Sequence, residues 1–82
     1  MEQDISLNIR KELGKKAQKL RKSLKKTQDE VAQALGIPRT DISGFESRGE
    51  RITTLEKIEK LFNFYGYTFL EPTEKKTLPV SI

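Results

Sequence analysis

The apolar residues near the start of the chain follow a helical repeat. Steps of four, four, three and four residues put them on one face of a helix over about residues 7–25: Ile9, Leu13, Ala17, Leu20 and Leu24. Gly14 lies inside this helix and weakens it by up to about 1 kcal/mol relative to alanine. We expect the residues before about position 6 to fray.

A second, shorter helix is predicted after residue 27. Thr27 and Glu30 fit a capping box, in which each side chain bonds the backbone amide of the other residue, so a helix begins here. Gly36 suits the left-handed conformation that ends many helices. The inner face of this helix is formed by three apolar residues, Val31, Ala32 and Leu35.

A third helix follows after a tight turn. Pro38 suits a first helical turn because its φ is preset and it lacks an amide hydrogen. Ile42 and Phe45, three residues apart, point inward from a helix over residues 38–47. Residues 47–51 are all polar or glycine and predict a loop.

A fourth helix is predicted over about residues 54–64. Thr53 and Glu56 fit a second capping box at its start. Its apolar stripe consists of Leu55, Ile58, Leu61 and Phe62. With the second and third segments joined by so few residues, the chain has the helix-turn-helix pattern.

The segment after the fourth helix is rich in aromatic residues and β-prone. Because a single strand is not stable alone, residues 66–71 need a partner; the same strand of a second copy across a two-fold axis is one solution, and packing on the chain's own domain is the alternative. The predicted dimer contacts are Phe64, Tyr65, Tyr67, Thr68, Phe69 and Leu70. We therefore divide the chain into a helical domain (1–65), a dimerisation strand (66–71) and a flexible tail (72–82).

Composition excludes several function classes. The 82 residues suffice for one domain. With no cysteine and no histidine, disulfides, the usual zinc sites and imidazole catalysis are absent, so we expect neither an enzyme nor a metal or other cofactor. No apolar stretch approaches the length of a membrane span, and the start of the chain is too polar for a signal peptide, so we expect a cytoplasmic protein without membrane contact.

Positive charge is concentrated in one segment. Residues 10–26 hold nine basic residues and one acidic residue, a net +8, whereas the whole chain is +4 and the remainder therefore −4. Such a segment attracts polyanions. The alternative is a solvated lysine-rich helix.

The helix-turn-helix segment resembles a known family. Its residues read Thr27-Gln28-Asp29-Glu30-Val31-Ala32, then Leu35-Gly36-Ile37-Pro38, then Ile42-Ser43-Gly44-Phe45-Glu46. This is similar, over about residues 13–64, to the signature of the xenobiotic-response-element (XRE) regulators, which include the Cro and lambda repressors. The resemblance implies an all-α, lambda-repressor-like bundle of four to five helices, with one short C-terminal β-strand paired across a dimer, that binds double-stranded DNA.

The resemblance also implies roles for individual residues. The third helix would enter the major groove, with Arg39, Thr40, Ser43 and Gly44 facing the bases. Arg39 is the strongest candidate because a guanidinium can donate two bonds to guanine O6 and N7. Gly44 departs from the usual long polar residue, so base reading there must use the backbone or DNA deformability.

Other positions are expected to contact phosphate or hold the fold. Gln28 would face a phosphate at the amino end of the second helix. The lysines of the first helix are further phosphate candidates, together with Lys26, Thr27, Ser47, Arg48 and Arg51. In this family, the arginine at Arg21 commonly pairs with the glutamate at Glu46, so both are expected to be structural.

The C-terminal segment is similar in architecture to HipB-like antitoxins. This would make the protein an operon-autoregulating repressor that binds a palindromic operator as a homodimer and neutralises a HipA-like kinase toxin. Two alternatives remain: a phage-type or restriction–modification controller without a toxin partner, and an interaction adaptor with a degenerate helix-turn-helix.

Overall fold

The structure, a computed structural model, describes residues 4–67 and contains four helices. They are α1 (Leu7–Ser23), α2 (Gln28–Leu35), α3 (Arg39–Arg48) and α4 (Leu55–Phe64). Within this part of the chain there is no sheet, and an isolated antiparallel bridge joins Asp4 to Thr54. The all-α helix-turn-helix bundle is therefore confirmed. Most of the predicted C-terminal strand lies outside the described residues, and so do Thr68, Phe69 and Leu70.

The start and end of α2 agree with the sequence prediction. The Thr27 hydroxyl accepts a hydrogen bond from the Glu30 amide at 3.1 Å, and the Glu30 carboxylate accepts one from the Thr27 amide at 2.8 Å. Gly36 ends the helix with a φ of 71°. Pro38, with a φ of −65°, then precedes the first residue of α3. Local capping chemistry thus sets the short connection between the two helices.

Two predicted boundaries are wrong. The third helix, predicted to end at Ser47, continues to Arg48, because the left-handed residue that ends it is Gly49. The second capping box is also absent, because α4 begins one residue later than expected. Thr54 caps the Lys57 amide, and a lysine cannot return the bond. The Thr53 hydroxyl instead donates to Asp4.

The core is centred on α3, which packs against both α1 and α2. Its buried apolar residues are Ala17, Val31, Ala32, Ile42, Phe45, Ile52, Ile58, Leu61, Phe62 and Tyr65. Three residues predicted to face inward are exposed: Ile9 by 53%, Leu24 by 45% and Leu55 by 46%. On α1 the buried positions are Gly14, Ala17 and Arg21, so the inner face is rotated away from the apolar stripe.

Gly14 marks the closest approach of α1 to α3. A Cβ atom built on it would collide with the backbone carbonyl oxygen of Phe45 and lie 3.1 Å from the Phe45 carbonyl carbon. Backbone atoms cannot move aside as a flexible side chain can. The glycine that the sequence marked only as a weakness in the helix is therefore what allows the two helices to cross.

The segment before α1 is held to the loop that follows α3. The Ile5 amide donates to the Thr53 carbonyl at 2.8 Å. The Arg10 guanidinium donates to the Ile5 carbonyl and to the Gly49 carbonyl, both at 2.7 Å. Residues 4–6 therefore form part of the packed domain rather than a frayed end. None of the four helices combines the length and apolar character needed to cross a membrane.

We predict that Gly14→Ala destabilises the protein by about 1–3 kcal/mol, since overpacking against Phe45 outweighs the gain in helix propensity. Chemical denaturation followed by circular dichroism measures the change. Lys15→Ala, on the exposed face of the same helix, is the matched control and should change stability by less than about 0.5 kcal/mol. A Gly14→Ala protein as stable as the wild type would show that the two helices can separate without cost.

Candidate nucleic-acid interface

The amino-terminal half of α3 presents polar side chains to solvent. Arg39 and Thr40 are exposed, and Ser43 is partly exposed. Ser47, one turn further on, is also exposed, and its hydroxyl donates to the Ser43 carbonyl at 2.6 Å. The opposite face of α3 is buried through Ile42, Phe45 and Glu46. The helix is thus fixed by its inner face and open on the side where base contacts are predicted.

A chain of hydrogen bonds connects this open face with the interior. Arg39 Nη1 donates to Gln28 Oε1 at 3.1 Å. Gln28 Nε2 in turn donates to Glu46 Oε1 at 3.0 Å. Gln28 was predicted to contact a phosphate, and the structure gives its amide group two protein partners. One of these partners is the strongest predicted base-reading residue.

The inner end of this chain is a buried ion pair. Arg21 donates to the Glu46 carboxylate through Nε at 2.8 Å and through Nη2 at 3.1 Å. Its Nη1 donates to the Lys26 carbonyl at 2.8 Å. The Glu46 side chain is only 1% exposed and that of Arg21 10%. The hydrogen bond to Glu46, reinforced by its negative charge, raises the pKa of Arg21 above its ordinary value.

Tyr65 lies in the core, which excludes it from the predicted dimer contact. It is 7% exposed, and its hydroxyl has no hydrogen-bond partner among the described residues. Burial, together with the negative charge of Glu46, raises the pKa of Tyr65 to about 12. Tyr65 extends the buried apolar stripe of α4, but the aromatic pattern did not show this, because Tyr65 lies one residue past the end of the helix.

The other described aromatic positions differ in exposure. Tyr67 packs on its own domain. Its ring centroid is 5.5 Å from that of Phe62, and Lys16 Nζ lies 4.5 Å from the centre of the Tyr67 ring. Lys16 also donates to the Tyr67 hydroxyl at 3.1 Å. Phe64 is 36% exposed. Of the predicted dimer residues that the structure describes, Phe64 therefore offers the most surface to a partner.

Basic side chains surround the open face of α3. Arg48 pairs with Glu50 at 2.9 Å, and Arg51 pairs with Asp41 at 3.3 Å; both arginines are more than half exposed. The Thr27 hydroxyl is engaged by the cap of α2. Lys26 is partly exposed, and the lysines of α1 lie on its solvent side: Lys11, Lys15, Lys16, Lys19 and Lys22. Within the +8 segment these lysines are at the surface, whereas Arg10 and Arg21 are turned inward to protein partners.

Gly44, which was predicted to face the bases, is covered by a side chain from the loop that follows α3. Gly44 is buried, and a Cβ atom on it would lie 2.6 Å from Cγ of Arg51 and 3.6 Å from Nη2 of Arg48. The Arg51 side chain therefore lies across the helix at this position. The sequence did not predict the contact between Gly44 and Arg51, because it depends on the path that the backbone of the intervening loop takes.

Comparison with known families agrees with this geometry. A family model described as helix-turn-helix matches residues 18–71, more than half of the chain. The chain therefore belongs to the helix-turn-helix family of the XRE type, and it is a DNA-binding transcriptional regulator. Comparisons with curated proteins and with solved structures gave no significant match. Within residues 4–67 no cluster of acidic residues, histidines or cysteines could hold a metal ion.

We predict that Arg21→Ala lowers the free energy of unfolding by about 3–5 kcal/mol, because it leaves the buried Glu46 carboxylate without its cation. Arg48→Ala, which removes an exposed ion pair, should cost less than about 1 kcal/mol. Urea denaturation of both variants gives the comparison. The double variant Arg21→Met/Glu46→Leu should recover most of the stability lost in Arg21→Ala. If Arg21→Ala and Arg48→Ala lost equal stability, a structural role for the buried pair would be contradicted.

Proposed function

We propose that this regulator is a sequence-specific repressor whose α3 enters the major groove of its operator, with Arg39 as the principal base-reading residue. The observation that carries the proposal is the hydrogen-bond chain from Arg39 through Gln28 to the buried Glu46. Gln28 is held at one end by a carboxylate that cannot move, and it holds Arg39 at the other. The guanidinium is therefore oriented before DNA arrives.

Orientation of this kind favours base recognition. A free arginine loses much side-chain entropy when it is fixed, and a planar guanidinium that is already positioned loses less. The bond to Gln28 uses Nη1, so other donors of the same group can pair with guanine O6 and N7. Thr40 and Ser43 flank Arg39 on the open face and would contact adjacent bases or phosphates.

Phosphate contacts would come from both sides of α3. Gln28 and Lys26 lie at the amino end of α2, where the helix dipole favours an anion. Ser47 and Arg48 lie at the other end of α3, where Lys11 and Lys15 of α1 line the same surface cleft as Ser47. Such contacts position the protein on the duplex without reading sequence, and they account for most of the salt dependence of binding.

We further propose that the protein binds a palindromic operator as a homodimer. Helix-turn-helix repressors commonly place two recognition helices one helical turn of DNA apart, so a two-fold protein matches a two-fold site. The exposed ring of Phe64 supports this proposal, since a partly solvated aromatic ring at the end of α4 suits an interface.

We predict that Arg39→Ala weakens binding to the cognate site by about 1–3 kcal/mol and relaxes the preference at one base pair. Titration of the duplex upstream of the protein's own gene, and of a random duplex of equal length, measures both effects. Arg48→Ala is the matched control and should weaken both complexes alike, with a log–log salt slope smaller by roughly 0.9. Equal losses on the two duplexes for Arg39→Ala would make Arg39 a phosphate contact only.

The antitoxin role is a finer hypothesis that rests on sequence resemblance. It concerns the segment from residue 66 onward, most of which lies outside the described residues. Copurification of the tagged protein from its native operon tests it: a kinase-like partner encoded beside the gene supports an antitoxin of a HipA-like toxin. Specific operator binding without any such partner would favour the phage-type or restriction–modification controller instead.

A further inference from the structure

The second turn of the recognition helix has no reading side chain of its own. Gly44 occupies the position where a long polar residue would face the groove, yet this position is not empty. The Arg51 side chain lies across it, with Cγ placed 2.6 Å from where a glycine Cβ would be. Only glycine leaves enough room for this arrangement, since any larger residue would displace the arginine.

The backbone of Arg51 is held in an unfavourable conformation. Its φ is 79°, in the left-handed region that residues other than glycine rarely adopt. Conformations of this kind persist where the surrounding structure imposes them, and they are concentrated at functional sites. In this case the conformation turns the side chain back from the loop onto α3.

The head of the arginine is oriented by an acid on α3. Arg51 Nε lies 3.3 Å from Asp41 Oδ1, and the Asp41 side chain is 24% exposed, whereas that of Arg51 is 57% exposed. This contact involves Nε, so the two terminal nitrogens can form the fork that matches guanine. It also neutralises an acid that would otherwise repel DNA on this helix.

We propose that Arg51 is a second base-reading residue, which reaches the major groove across Gly44 and is held in position by Asp41. The inference rests on the proposed function, because it assumes that α3 enters the groove. It replaces the expected phosphate contact at Arg51 with a specific one. The ligand is a guanine beside the base pair read by Arg39.

Selection from a randomised duplex library, carried out with the full chain, tests the proposal. Arg51→Lys keeps the charge but removes the planar fork, and Arg51→Gly relieves the left-handed backbone and so keeps the fold. Both variants should lose roughly 10- to 100-fold of the preference for guanine at one position, the range expected for one bidentate pair. Gly44→Ala, which displaces the arginine, should relax the same position. Asn63→Ala, at an exposed position on α4, is the control and should leave the selected sequence unchanged.

The outcomes separate the two proposals. If wild-type protein selects a sequence and Arg51→Lys selects the same one with equal preference, Arg51 is a phosphate contact and this inference is overturned, while the proposed function stands. If wild-type protein enriches no sequence, sequence-specific repression fails and base reading by Arg51 fails with it. If only Arg51→Gly and Gly44→Ala relax the position, the effect is one of loop conformation, and the inference is again overturned.

Discussion

The carboxylate of Glu46 is the interaction on which the rest of the molecule depends. It accepts bonds from Arg21 on α1 and Gln28 on α2, while it is itself part of α3. One buried charge therefore fixes three helices relative to one another. A buried carboxylate is costly unless its partners are in place, so arrangements of the helices that separate these groups are disfavoured. The same group indirectly sets the orientation of Arg39, which connects stability of the core with DNA reading.

Much of the helical framework could be predicted because its signals are local. The Thr27–Glu30 cap and the left-handed Gly36 act within a few residues, and the structure confirms both. Pro38 also acts locally, but it precedes α3 instead of lying in its first turn. The pairing partner of Arg21 came from a family pattern rather than from physics. The boundary error at α4 has a cause that is not local. Thr53 and Thr54 are equally good caps by sequence, and Thr53 instead bonds Asp4, 49 residues earlier in the chain.

What could not be predicted depends on contacts between distant segments. Hydropathy counts apolar side chains, so it could not show that Gly14 and Arg21 belong to the buried face of α1. The role of Gln28 as a bridge requires knowing that Glu46 lies beneath it. Gly44 is a further example. Its lack of a side chain can be explained only once Arg51 is known to occupy the space beside it.

The hydrogen bonds from Arg10 to the Ile5 and Gly49 carbonyls have a consequence for attempts to transfer DNA specificity between proteins. The Gly49 carbonyl that Arg10 holds lies two residues before Arg51, and a Cβ atom on Gly49 would lie 2.8 Å from the Lys11 amide nitrogen. The loop that follows the recognition helix is therefore seated on α1. If α3 alone were exchanged between relatives, the new helix would have to pack against the recipient's own 49–51 loop, which fits the original helix. A chimera that retains its parent's base preference would need Arg10, Gly44 and the 49–51 loop exchanged as one unit.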